Sequence, residues 1–240
     1  MTIPAGLIAQ LVTGGMLTLN LVVSANASDL NIRTLAVAAG WDGVSPVNLT
    51  LTINSGISVT STSTSTPALQ TGSTFPTGSI VKVINYGSIL GKGGAGGASN
   101  SGVGGNGGNA FLASSAVTID NQGTINAGSG GNGGNGASYK PLGSGGASYC
   151  SSYGGTTSNT YFCSVTANGA AGASGGTTGV NGSNGSAGSG ATSTEPIGCP
   201  ATYPFCGGAA GGAGGARGAY ISGNSFVTWL NTGTRNGAVI

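Results

Sequence analysis

The sequence predicts a mainly β protein with a bundle of glycine-rich polyproline II (polyglycine II) helices. An N-terminal β-rich module is followed by β-strand units that alternate with the glycine-rich helices. Three observations carry this expectation. Glycine supplies 51 of the 240 residues and recurs at every third position within its tracts. Between the tracts, apolar and polar residues alternate with the period of two that a strand requires. One strand–turn–strand unit occurs three times along the chain.

From the N-terminus, residues 1–17 are apolar and ambiguous, with Ile3, Leu7, Ile8, Leu11 and Val12 at spacings compatible with a short helix that Gly14-Gly15 would stop. Residues 17–23 (LTLNLVV) and 31–37 (NIRTLAV) alternate as strands. Residues 38–44 read as a tight turn about Asp42-Gly43, with Trp41 as a packing anchor. Residues 47–59 (VNLTLTINSGISV) form the cleanest alternation in the chain, bent at Ser55-Gly56. They are expected to make a long flat edge that needs covering by other chains. The Ser/Thr run at 58–66 is a polar edge or loop.

The repeated unit begins at Val81, where Val81-x-Val83-x-Asn85-x-Gly87-x-Ile89 is matched 36 residues later by Val117-x-Ile119-x-Asn121-x-Gly123-x-Ile125. A third copy, Val227-x-Trp229-x-Asn231-x-Gly233-x-Arg235, closes the chain with Arg235 in place of the final apolar residue. Alternating apolar residues would face a core while Asn and Gly take the turn. Such units stack in solenoid-like β structures, because one copy alone cannot bury its apolar face. The first two copies each lead into a glycine tract, so the β layer feeds out and back through glycine helices.

Those tracts occupy 91–97 (GKGGAGG), 102–108 (GVGGNGG), 128–136, 143–146, 169–190 and 207–218. Gly130, Gly133 and Gly136 are spaced by three, as are Gly212, Gly215 and Gly218. Three residues per turn is the period of the polyproline II helix, which has no internal hydrogen bonds. Its N–H and C=O groups need outside partners, and an edge of glycine alone lets neighbouring backbones approach closely enough to supply them. Collagen is excluded by only 8 prolines and by interruptions of the period. A solvated linker is disfavoured by the near absence of charge.

Charge is limited to Asp29, Asp42, Asp120, Glu195, Arg33, Lys82, Lys92, Lys140, Arg217 and Arg235. Scattered in this way, it offers no basic stripe for nucleic acid and no amphipathic basic helix for membrane insertion. There is no His, so Ser-His-Asp and Cys-His catalysis are excluded and a metal site lacks its commonest ligand. The expectation is a protein that is not an enzyme and uses neither cofactor nor metal. The chain shows no basic, apolar signal-peptide pattern and no 18-residue apolar run.

Two segments depart from the glycine regime. Residues 137–165 carry Tyr139, Lys140, Tyr149, Cys150, Tyr153, Tyr161, Phe162 and Cys163. Residues 195–206 carry Cys199, Tyr203, Phe205 and Cys206. Five of the seven tyrosines lie in these segments. Tyrosine gives rigid amphipathic contact area while Ser, Gly and Asn give adaptable hydrogen bonds, the mixture used by antibody loops. The segments therefore read as binding loops; the competing reading is that their aromatics pack each loop against the scaffold. The cysteines fall into two local pairs by spacing, compatible with two short-loop disulfides or with four small apolar side chains. Bridges would imply an oxidising exterior reached without an export signal, as when a virus particle is released by lysis.

These units resemble glycine-rich adhesins at the tips of bacteriophage tail fibres, of the T-even-like distal long-tail-fibre type. The likeness lies in the I/V-x-N-x-G-x-I units that lead into GGxGGN tracts, in the segments between the tracts, and in the ending FVTWLNTGTRNGAVI. It covers residues 80–240, the glycine-rich domain, and leaves 1–79 as a β-rich attachment or oligomerisation module. The resemblance implies a layered polyglycine II sandwich whose intervening loops, here 139–162 and 196–206, contact a bacterial surface protein or glycan. It implies a location on the virion, exposed to the extracellular environment, with other fibre or tail proteins as partners and homo-oligomerisation open. A structural virion protein contacting neighbouring subunits, and a disulfide-bridged ice-binding protein, are the other functions compatible with the sequence.

Overall fold

A computed structural model of the chain describes residues 5–13, 16–73, 75–136, 138–141, 163–167, 170–180, 182–183 and 210–240. The chain opens with an antiparallel hairpin, β1 (Ala5–Thr13) and β2 (Met16–Val23), with Thr13 opposite Met16. Within the stretch whose spacings are compatible with a short helix, Ala5–Thr13 is a strand. Its short apolar run, next to a second apolar run across Gly14-Gly15, fits a hairpin better than an isolated helix of that length.

The chain then winds through successive turns of three short strands. The first turn is β2 with β3 (Ala27–Ser28) and β4 (Leu30–Asn31). After helix α1 (Ile32–Ala38) the second is β5 (Val47–Ile53), β6 (Ser58–Thr60) and β7 (Leu69–Gln70). The third is β8 (Ile80–Asn85), β9 (Ser88–Leu90) and β10 (Phe111–Leu112). The fourth begins with β11 (Val117–Asn121) and β12 (Thr124–Asn126). A separate two-stranded ribbon, β13 (Ser138–Pro141) and β14 (Cys163–Ala167), intervenes before β15 (Ala219–Ser222) completes that turn. The last turn is β16 (Val227–Asn231), β17 (Thr234–Asn236) and β18 (Ala238–Val239).

Corresponding strands stack into three sheets, ordered β1-β2-β5-β8-β11-β16, β3-β6-β9-β12-β17 and β4-β7-β10-β15-β18. Except for β1, every neighbour in them is parallel. Alternation decides which residues line the interior, as in β5, where Val47, Leu49, Leu51 and Ile53 are buried. Register turns this alternation into columns. Leu21, Leu51, Val83, Ile119 and Trp229 stack in the first sheet. Ala27, Val59, Ile89, Ile125 and Arg235 stack in the second, and Leu30, Leu69, Phe111, Ile221 and Val239 in the third. Each turn thus covers the apolar face of the one before it.

Two further expectations are corrected. In the 31–37 segment only Asn31, the last residue of β4, is in a strand, and Ile32 onward belongs to α1: the Asn31 side chain accepts from Thr34 N at 3.1 Å as an N-cap, and Ile32, Leu35 and Ala36 share the buried face. The 47–59 segment is not an exposed edge, since β5 lies between β2 and β8, and β6 between β3 and β9. Its bend at Ser55-Gly56, where Gly56 has φ +77°, carries the chain from the first sheet to the second.

The expected turn at 38–44 is present. Trp41 is buried, its Nε1 donates to Ser45 O at 2.8 Å, and its ring stacks on Phe75 with centroids 5.2 Å apart. The Arg33 guanidinium lies 4.8 Å from the Trp41 ring centroid and donates to Gly43 O at 2.6 Å. The Ser45 hydroxyl, then the backbone N–H groups of Ser45 and Val44, hold the Asp42 carboxyl below its ordinary pKa.

At the repeated units, Asn85 and Asn121 are buried within the stack. Asn85 Oδ1 accepts from Gly87 N at 3.1 Å, closing its own turn, while Asn85 Nδ2 donates to Asn121 Oδ1 at 2.7 Å. Asn121 Nδ2 passes the ladder on to Thr232 O at 2.7 Å. A turn-forming residue here also ties one turn of the stack to the next. The expected boundary at 79/80 falls between β7 and β8, and β5 pairs with β8 across it.

Candidate functional site

The glycine tracts interrupt the stack at two places, between β9 and β10 and between β12 and β15. Their direction decides which residues lie together. Residues 91–97 leave the stack at Gly91, whose N–H donates to Asn126 O at 2.8 Å. After a turn at 98–101, residues 102–108 come back, so Gly105 and Gly108 donate to Ala95 and Lys92 in reverse order, each at 2.7 Å.

The 128–136 tract leaves again and occupies the centre of the bundle. Gly128, Gly131 and Gly134 donate to Gly108, Gly105 and Gly102, each at 2.8 Å. Ser129, Asn132 and Asn135 donate to Gly176, Ala173 and Ala170 at 2.8–2.9 Å. Gly130 and Gly133 donate to Val180 and Ser183 at 2.9 and 2.8 Å. Successive residues therefore serve three different neighbours, and each neighbour is met again three residues later. Residues 170–176 return to the stack, Val180, Gly182 and Ser183 lead away from it, and 212–218 return into β15, with Gly218 N donating to Gly128 O at 2.9 Å.

This alternation gathers three crossings at the end of the bundle remote from the stacked sheets. One is the 98–101 turn. The second is bounded by Gly136 and Ala170, and the third by Ser183 and Ala210. Hydrogen bonds tie these boundaries together: Ser101 N donates to Asn135 O at 3.0 Å, Asn135 N to Ala170 O at 2.9 Å, and Gly212 N to Gly134 O at 2.8 Å. The two aromatic, cysteine-bearing segments thus depart from one face.

The backbones of Tyr139, Lys140 and Cys163 belong to the β13–β14 ribbon, in which Tyr139 is opposite Val165, Lys140 opposite Ser164 and Pro141 opposite Cys163. Tyr149, Cys150, Tyr153, Tyr161, Phe162, Cys199, Tyr203, Phe205 and Cys206 lie outside the described residues. The 98–101 turn, not among the candidate segments above, exposes Ala98, Ser99 and Asn100 at the same end. Its signal was a short ASNS interruption between two glycine tracts of equal length. Among the described residues no helix is long and apolar enough to cross a membrane.

The family model for the phage tail fibre adhesin Gp38 matches residues 18–240. No curated protein sequence matches the chain. Among solved structures, the chain is similar to the gp37-gp38 adhesin tip complex of the bacteriophage S16 long tail fiber, with a TM-score of 0.53 and 20% identity. That alignment covers 91% of this chain and 81% of the other, and at this identity it speaks for a shared fold. With the family match spanning nearly its whole length, the chain belongs to the Gp38 family of phage tail fibre adhesins.

Proposed function

We propose that the protein grips a bacterial surface protein or glycan with the aromatic segments at the outer end of its glycine bundle, while the stacked sheets face the rest of the fibre. The observation that carries this reading is the common departure of 137–169 and 184–209 from the end opposite the stack. Tyr139, Lys140, Tyr149, Tyr153, Tyr161, Phe162, Tyr203 and Phe205 supply the contacts, through rings that lose little entropy on binding. Cys150 with Cys163, and Cys199 with Cys206, close short loops that stiffen their presentation. Binding is non-catalytic.

The tracts serve as polyglycine II helices, a reading supported by the three-residue recurrence of their bonds to each neighbour. Such a scaffold is rigid without a large apolar core, which suits a chain with so few aromatics. The N-terminal module of residues 1–79 is the attachment side, and its partner is another virion protein. The S16 structure, titled as a gp37-gp38 complex, supports a partner of that class.

Binding of the purified chain to intact cells of a bacterium that the phage infects tests the reading. Tyr149→Ala, Tyr153→Ala, Tyr161→Ala and Tyr203→Ala variants are measured in parallel. Saturable binding by the parent chain, reduced in the variants at unchanged melting temperature, is the expected result. Equal binding by all the variants removes these segments as the site.

A further inference from the structure

We propose that Ser101 is a positioning residue that fixes the separation of the two aromatic segments, an inference that rests on the receptor-binding reading of those segments. Asn100 and Ser101 have φ of +61° and +72°. Two consecutive non-glycine residues in the left-handed region are disfavoured by contact between Cβ and the backbone. Such a conformation persists where surrounding structure over-determines it, and it concentrates at functional sites.

Here the conformation has an identifiable result. Gly102 N donates to Ala98 O at 3.0 Å and closes the turn. The same turn aims both hydrogen-bond donors of Ser101 sideways. Its N–H donates to Asn135 O at 3.0 Å, at the root of the 137–169 segment. Its hydroxyl donates to Ala210 O, where the 184–209 segment rejoins the bundle. Asn135 N in turn donates to Ala170 O at 2.9 Å, so the outgoing and returning ends of the first segment are joined at the same point. One residue therefore holds the roots of both segments. Bivalent contact with one receptor depends on that spacing.

Ser101→Ala and Ser101→Gly in the full-length protein separate this role from ordinary stability. Both remove the hydroxyl and keep the N–H, but glycine also relieves the left-handed strain. Expected in both is faster amide exchange around 210–212, by roughly three- to tenfold for one lost hydrogen bond, with exchange at 91–97 unchanged. Weaker binding to host cells accompanies it in both variants. Ser101→Gly should do so while melting no lower than Ser101→Ala, so that stability and binding move independently. Unchanged exchange at 210–212, or cell binding equal to the parent's, overturns the proposal. If the parent chain itself binds no cells, the receptor-binding reading of the segments fails, and the exchange result still decides whether Ser101 holds the Ala210 root.

Discussion

Asn106 holds Ala216 at two points: its Oδ1 accepts from Ala216 N at 2.9 Å, while the next N–H, of Gly107, donates to Ala216 O at 2.9 Å. The arrangement recurs. Asn109 Oδ1 and Ala110 N take the two backbone groups of Ala219, both at 2.9 Å. Asn132 Oδ1 and Gly133 N take those of Ser183, both at 2.8 Å. In the first and third cases the clamp joins two tracts that run in the same direction. The asparagine of the GGN triplets thus supplies a lateral acceptor that the glycine backbone does not.

Asn106→Ala removes that acceptor and leaves Ala216 N to water at an exposed position. The expected loss is about 1 kcal/mol, the net worth of one such bond. Asn106→Asp keeps an acceptor in the same place and should lose less. Urea denaturation of the three proteins side by side checks the order.

The Asn85–Asn121 ladder carries a larger and pH-dependent prediction. Both residues have 0% exposure, so a charge placed there has no access to bulk water. Asn85→Asp replaces the Nδ2 donor by a carboxylate oxygen facing Asn121 Oδ1, which destabilises the ionised form. The folded-state pKa of that Asp is therefore raised above its unfolded value near 3.9. The sign follows: the difference in stability from the parent is smallest below that unfolded value, where the acid is protonated and can donate. It grows as pH rises toward the folded pKa. Thermal unfolding from acid to neutral pH should show the gap widening, and a constant gap would refute a donor role for Asn85.

Glycine is needed at some positions of the bundle and not at others. A Cβ at Gly131 would meet Ala95 O at 1.9 Å, backbone against backbone, at the centre of the bundle. A Cβ at Gly176 meets nothing within 4 Å. Gly131→Ala should prevent the tracts from closing, whereas Gly176→Ala should be neutral to within about 0.5 kcal/mol, as for ordinary surface substitutions. Amide exchange across 91–136 distinguishes the two.

How far the sequence foretells this structure depends on the length of each element. The 36-residue repeat is visible because its members lie directly opposite each other, Thr118 on Lys82 and Thr124 on Ser88. The third copy departs where a bulge shifts the register after Ile119. Asn231 then faces Asp120, to which it donates at 2.8 Å, and Thr232 O completes the ladder from Asn121. Two-residue strands such as β4, β7 and β10 are too short to show a period. Helix α1 stays hidden because NIRTLAV satisfies both alternation and a capped i, i+3 face. The period of the tracts is plain, but the end at which each aromatic segment emerges depends on counting every outward and returning tract, and the brief outward run of Val180, Gly182 and Ser183 is easily missed. Arrangement around a central tract, with different neighbours on its three edges, is a property of packing that one chain's periodicity does not encode.

Arg235 gives the last prediction. It occupies the end of the inward column Ala27–Val59–Ile89–Ile125, in the final turn of the stack. Its guanidinium lies 4.9 Å from the Trp229 ring centroid and 5.2 Å from that of Tyr220, and Nη1 donates to the Tyr220 hydroxyl at 3.2 Å. Strands β16, β17 and β18 end their sheets, so among the described residues their outer backbone edges have no strand partner. Leu230 in β16, Val239 in β18 and Phe226 just before β16 are exposed. An inward-pointing charge and a bulge are two devices that keep such edges from pairing with another molecule, and the last turn contains both. Arg235→Ile continues the apolar column to the edge and removes the charge, so this variant should associate in a concentration-dependent way. Arg235→Lys retains the charge and should behave as the parent. Sedimentation velocity over a concentration series decides: association of the Ile variant alone supports the charge as the barrier, and indistinguishable profiles for all three reject it.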